Sequence, residues 1–98
     1  MLYELRTYAL VPGGTREYLE TYHAIGQDVQ VQILGNLVSL LRPESGDLNQ
    51  LVFLWGYQDF EDRRVRRQQL MADPAFTEFR KKTRHLLVQQ ESRLFSAA

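Results

Sequence analysis

Glu4, Arg6 and Tyr8 occupy every second position of the stretch Leu2 to Leu10. Alternate residues of an extended chain point to one side, so a strand here sets an acid, a guanidinium and a phenol in a single row. A guanidinium grips a carboxylate through two parallel hydrogen bonds, and a phenol donates to an oxygen. Arg6 and Tyr8 could therefore hold a small ligand that carries a carboxylate or a carbonyl. The same row also suits a purely structural role. Glu4 and Arg6 paired with their counterparts in a second copy, or with Glu91 and Arg93, would fix register without any ligand.

Phe53, Trp55 and Tyr57 form a second group at the same spacing. Their rings could line a pocket for a planar organic molecule or fill the seam between two packed sheets, with Trp55 in that seam. The candidate ligand-binding set is thus Glu4, Arg6, Tyr8, Trp55 and Tyr57. No catalytic residue stands out. Ser39, Ser45, Ser92 and Ser96 lie in no nucleophile elbow, and Gly13 with Gly14 lacks the length and the lysine of a phosphate loop. Cysteine is absent, and His23 and His85 are far apart with no carboxylate at ligand spacing, so neither a metal site nor a cofactor is implied by these residues. His85 at a helix C-terminus has a sufficient reason to be there in the helix dipole.

The element that must position these groups is Leu51 to Tyr57, apolar at every position and too short to be a self-burying helix. It reads as a central strand with both faces covered. Before it, Leu2 to Leu10 makes a first strand, broken by Pro12, Gly13 and Gly14, and Thr15 offers an N-cap hydroxyl to a helix. Tyr18, Leu19, Tyr22, Ile25, Val29 and Ile33 recur along that helix at helical spacing, with Gly26 marking close packing or a kink. Gly35 and Asn36 end it as an αL cap would, and Leu37 to Leu41 is a short strand joined to the central one by a turn over Glu44 to Asn49. Asp59 caps a helix from Phe60 to Ala72, on which Arg63, Arg64, Arg66 and Arg67 lie opposite Phe60, Val65 and Leu70, where solvent belongs. Asp73 and Pro74 interrupt it, a further helical stretch carries Phe76 and Phe79 to His85, and a last strand covers about Leu86 to Phe95.

The order strand, helix, strand, strand, broken helix, strand is the ferredoxin-like βαββαβ pattern, an α+β antiparallel sheet with its helices on one face and the first and third strands at its centre. The chain, 1–98, is expected to be one domain. Its other sheet face would present an apolar patch of a kind monomers rarely leave open, which predicts a homodimer through that face. Twelve basic residues balance twelve acidic ones, so no field gathers nucleic acid, and no apolar run is long enough for a membrane. The lack of cysteine and of an N-terminal apolar leader fits the cytoplasm.

The motif Tyr3-Glu4-Leu5-Arg6-Thr7-Tyr8, the Pro12-Gly13 turn, Leu48-Asn49-Gln50 leading into Leu54-Trp55-Gly56-Tyr57, Asp62-Arg63, Arg66-Arg67 and the closing Gln90-Glu91-Ser92-Arg93 together resemble the NIPSNAP domain over nearly the whole chain. The resemblance implies a dimeric α+β barrel, within a superfamily that also holds cofactor-free monooxygenases, haem-degrading enzymes and isomerases. It supplies no agreed catalytic residues. Such domains often carry histidine two positions before the tryptophan, where this chain has Phe53. The expected function is a NIPSNAP-like homodimer of unassigned activity that binds a small organic molecule or acts as a scaffold. The alternative is a cofactor-independent monooxygenase or isomerase acting on an aromatic or carbonyl substrate. By likeness to the haem-degrading relatives, His85 would be an axial ligand with Trp55 beside the porphyrin.

Overall fold

Leu2, Glu4, Tyr8 and Leu10 are buried while their neighbours Tyr3, Leu5, Thr7 and Ala9 are only half-buried, the signature of a strand with one face on a core. The computed structural model, which describes residues 1–98, places this strand, β1 (Leu2–Leu10), at the centre of a sheet with β3 (Gln50–Tyr57), and β2 (Leu37–Leu41) and β4 (Leu87–Ser96) at the edges. The order is β2-β3-β1-β4 and every neighbouring pair is antiparallel. This is the ferredoxin-like arrangement. Register sets Glu4 opposite Trp55, Arg6 opposite Phe53 and Ser92, and Leu2 opposite Tyr57, so these side chains share the helix-covered face. β2 is interrupted between Leu37 and Ser39, and β4 is irregular where it meets Ala9 and Leu10.

The helices cover one side. α1 (Gly14–Thr21), a π-helical turn (Tyr22–Gly26) and α2 (Gln27–Leu34) follow one another without a break. Their buried residues are Gly14, Tyr18, Tyr22, Gly26, Gln30 and Leu34, spaced by four. A stripe of strict period four drifts around an ordinary α-helix of 3.6 residues per turn, and the wider π turn takes up that drift. The expected face built on Ile25 is therefore displaced: Ile25 is exposed and polar Gln30 is buried. Gly26 is the close-packing point, since a Cβ there would come within 2.8 Å of the Phe79 ring. Thr15 does not cap this helix. Gly13, at φ 78°, occupies the N-cap position, and the Thr15 hydroxyl is buried without a partner. Gly35 has positive φ (93°), but with ψ at −51° it lies outside the αL region.

The Asp59 cap forms as expected, and Asp73, read only as an interruption, is a second acid cap. The Asp59 carboxylate accepts from the Asp62 N–H at 2.8 Å to start α3 (Phe60–Ala72), and Asp73 accepts from the Phe76 N–H at 2.9 Å to start α4 (Pro74–Thr83) behind Pro74. A 3₁₀ turn, Arg84–Leu86, then leads into β4. One core of aromatic and leucine side chains lies between sheet and helices, with Trp55, Tyr22, Leu51 and Leu70 fully enclosed. Tyr22 meets Phe53 and Phe79 edge-on at ring separations of 5.3 and 5.6 Å. Phe53 lies parallel to Trp55 at 6.4 Å.

No helix is long and apolar enough to cross a membrane. The opposite sheet face has no helix on it. Leu5, Val52 and Leu54 are half-buried there, and Leu41 and Phe95 on the flanking strands are 51% and 40% exposed.

Candidate functional site

Glu4 is fully buried on the central strand, where an unpaired carboxylate would be very costly. Five donors from four elements meet it. Arg63 of α3 makes a forked contact, Nε to Oε1 at 3.2 Å and Nη2 to Oε2 at 2.8 Å. Arg6 Nη1 and the Ser92 hydroxyl donate to Oε2 at 3.0 and 2.5 Å, and the Tyr57 hydroxyl reaches Oε1 at 3.5 Å. Burial by itself would raise the Glu4 pKa, but the hydrogen bonds from Arg63 and Ser92 and the charge of Arg6 outweigh it and hold the carboxyl at about 2. Glu4 is thus a saturated anion and not a proton acceptor at neutral pH. Burial, followed by the charge of Glu4, pushes the Tyr57 phenol up to about 12.

The expected partners Glu91 and Arg93 take no part. They pair with Thr7 and Leu5 in register and so belong to the opposite face. Glu4 and Arg6 need no second copy either, because they pair with each other. Sequence reasoning found the bounds of α3 but put all four of its arginines in solvent. Arg64 is solvated and bonds Glu61, whereas Arg66 reaches Asp62 and the Ile33 carbonyl, and Arg63 and Arg67 turn toward the sheet. The signal was present: Arg63, Arg67 and Leu70 stand at i, i+4 and i+7, one helix face. The apolar residues that pointed the other way, Phe60 and Val65, are exposed.

Next to this cluster a cleft of about 370 Å³ opens between β1, α3 and α4. Arg6 and Arg67 lie in it, Arg80 and Arg84 stand at its exposed rim, and no carboxylate or histidine lines it. Its walls are the rings of Tyr8, Tyr18, Phe76 and Phe79 with Leu70 and Leu87, and Gln30 and Thr83 add polar groups. Arg6 Nε donates to the Tyr8 hydroxyl at 3.1 Å, which fixes both side chains. Arg67 has its pKa lowered, first by burial and then by the charge of Arg6, and its guanidinium bonds to no group of the chain. Two cations near one another without an anion between them favour a bound anion.

Of the five residues read from the sequence, Arg6 and Tyr8 line the cleft. Glu4 lies behind Arg6 and orients it. Trp55 and Tyr57 do not reach the cleft; both are packed in the core, and the Trp55 N–H is buried without a partner. This also corrects the placement of Trp55 in a seam between copies, because its side chain is on the helix-covered face. His85 is exposed beside Glu17, at 3.2 Å, whereas Trp55 is fully enclosed in the core, so the pairing needed for an axial-ligand role is not made. No cluster of histidine and acidic residues could hold a metal ion. His23 faces solvent and meets Gln27.

Solved structures with this architecture are close at hand. A NIPSNAP family protein of unknown function from Agrobacterium tumefaciens is 37% identical, with a TM-score of 0.97, covering 100% of this chain and 88% of that one. An uncharacterised NIPSNAP-like domain protein from Burkholderia xenovorans is also 37% identical, with a TM-score of 0.95 and coverage of 99% and 84%. An antibiotic biosynthesis monooxygenase shares the fold alone, at 16% identity and a TM-score of 0.70, covering 100% of this chain and 99% of that one. No curated protein matches. The NIPSNAP family model matches residues 3–98, and the chain belongs to the NIPSNAP family.

Proposed function

We propose that this protein is a cytoplasmic homodimer whose subunits each bind a small organic anion in the cleft beside Arg6 and Tyr8. The observation that carries the reading is Arg67. Its half-buried guanidinium faces the cleft near Arg6 with no partner in the chain and no acid on the walls. A carboxylate or similar anion supplies the missing charge, and the aromatic walls favour one attached to a planar or apolar body. Glu4 takes the part of a positioning residue, since it holds Arg6 in place and is itself held by Arg63.

The enzyme alternative, a cofactor-independent monooxygenase or isomerase, has the fold likeness in its favour. It has less support from the site. The acid adjoining the cleft, Glu4, is fully hydrogen-bonded and held at about 2, so it is no general base. Binding therefore takes precedence over turnover.

The dimer rests on the sheet face that no helix covers, with Leu5, Leu54, Leu41 and Phe95 upon it. Two such faces packed together would remove this patch from water.

Isothermal titration of the purified protein with benzoate, phenylacetate and short aliphatic carboxylates tests the ligand reading. The aromatic acids are expected to bind, and Arg67→Met is expected to weaken them about 10–100-fold, the loss of one charge-assisted contact of about 1.5–3 kcal/mol. Silence across the whole panel, or equal binding by Arg67→Met, would overturn it.

A further inference from the structure

Three side chains that are more than nine-tenths buried turn hydrogen-bond donors toward the cleft with no acceptor in the chain. The Tyr8 hydroxyl, on a residue 6% exposed, accepts from Arg6 and donates to nothing. Tyr18, 4% exposed, makes no hydrogen bond through its hydroxyl, and its ring meets Tyr8 edge-on at 6.2 Å. Gln30, 3% exposed, uses Oε1 to accept from the Tyr22 hydroxyl at 2.6 Å and keeps its amide N–H groups free. The unpartnered Arg67 guanidinium makes a fourth donor group. These donors are not sealed in the interior but open onto the cleft, and four of them around one cleft describe the complement of an electron-rich oxygen.

The charged and titratable groups around them agree. β1 contributes Arg6 and the Tyr8 phenol, α3 contributes Arg67, α4 and the 3₁₀ turn contribute Arg80 and Arg84, and α1 contributes only the Tyr18 phenol. Glu4 and Arg63 are bound to one another behind Arg6. Burial keeps the Tyr18 phenol far above its ordinary range, so it stays a donor at neutral pH.

We infer that the cleft selects aromatic weak oxygen acids, phenols or enols, and binds them as their anions. This deepens the organic-anion reading and rests on it. The ligand O–H bond breaks, the electron pair stays on oxygen facing the Tyr8, Tyr18 and Gln30 donors, and the proton goes to bulk water. No group of the chain takes it.

The test uses 4-nitrophenol, whose anion absorbs at longer wavelength than its neutral form, titrated with the whole protein across the mildly acidic to neutral range. Benzoate, already ionised there, serves as the control. The protein is expected to lower the apparent pKa of bound 4-nitrophenol by about one unit or more, a preference for the anion of at least about tenfold. Tyr8→Phe and Tyr18→Phe keep the rings and are expected to shrink that shift, with unchanged far-ultraviolet circular dichroism. Arg67→Met is a second, less buried variant that should shrink it too. If benzoate binds and 4-nitrophenol either does not bind or binds with its pKa unmoved, the inference falls while the organic-anion reading stands. If the shift is unaltered in all folded variants, the assigned donors are wrong and the inference falls likewise. If neither compound binds, both fall.

Discussion

At the scale of single residues, the site depends on one carboxylate. Arg63 grips both oxygens of Glu4 while Arg6 and Ser92 share one of them, so removing the acid leaves two guanidinium groups facing each other at the sheet. Glu4→Gln is expected to cost about 3–5 kcal/mol at neutral pH, read by urea unfolding. The pH dependence has a definite sign. A carboxyl held at about 2 when folded, against an ordinary value of 4.5, adds stability that is complete above about 4.5 and drains away as pH falls toward about 2. The gap between wild type and Glu4→Gln should therefore close over that window. A gap that stays constant on acidification would mean that Glu4 is not ionised in the folded protein. The row Glu4, Arg6, Tyr8 was legible in the sequence because period two is a property of the strand itself. The partners Arg63, Ser92 and Arg67 were not, since they lie 59, 88 and, for Arg67 from Arg6, 61 positions away along the chain and only the fold brings them near. A helix with arginine on its inward face and phenylalanine outside also inverts the usual pattern.

At the scale of elements, boundaries were readable where a side chain marks them. Asp59, Asp73 with Pro74, and the Gly35 stop each sit where the helices begin or end. The π turn was not readable, because a change of helical pitch leaves no residue type behind; it shows only as the buried series Gly14, Tyr18, Tyr22, Gly26, Gln30, Leu34. Gly26 is its tightest point. Gly26→Ala would gain about 1 kcal/mol of helix propensity, yet its methyl group would press into the Phe79 ring, whose nearest atom lies 2.8 Å from it. The overpacking cost, about 1–3 kcal/mol, is expected to win. Thermal unfolding should show a lower Tm for Gly26→Ala, partly restored when Phe79→Leu is added. A stabilised single variant would mean that the ring moves aside at little cost.

At the scale of the whole molecule, the two faces of the sheet predict opposite outcomes for neighbouring residues on β3. Leu54 is on the uncovered face and Trp55 in the core. Leu54→Asp is expected to give a folded monomer by light scattering if the faces pair, while Trp55→Asp should fail to fold. A Leu54→Asp protein with the mass of the wild type would place the association, if any, elsewhere. The fold itself was legible because the strands and the α-helices announce themselves locally and the connections admit few topologies. The two borders of the sheet are also unequal. β2 is five residues long, irregular at Val38 and followed by Pro43, whereas β4 runs for ten residues and is exposed almost throughout. Strand addition is thus blunted on one border and open on the other. A chain that can grow from only one side makes a pair and then stops, so misassociation through sheet borders should end at short, closed species and not propagate into fibres.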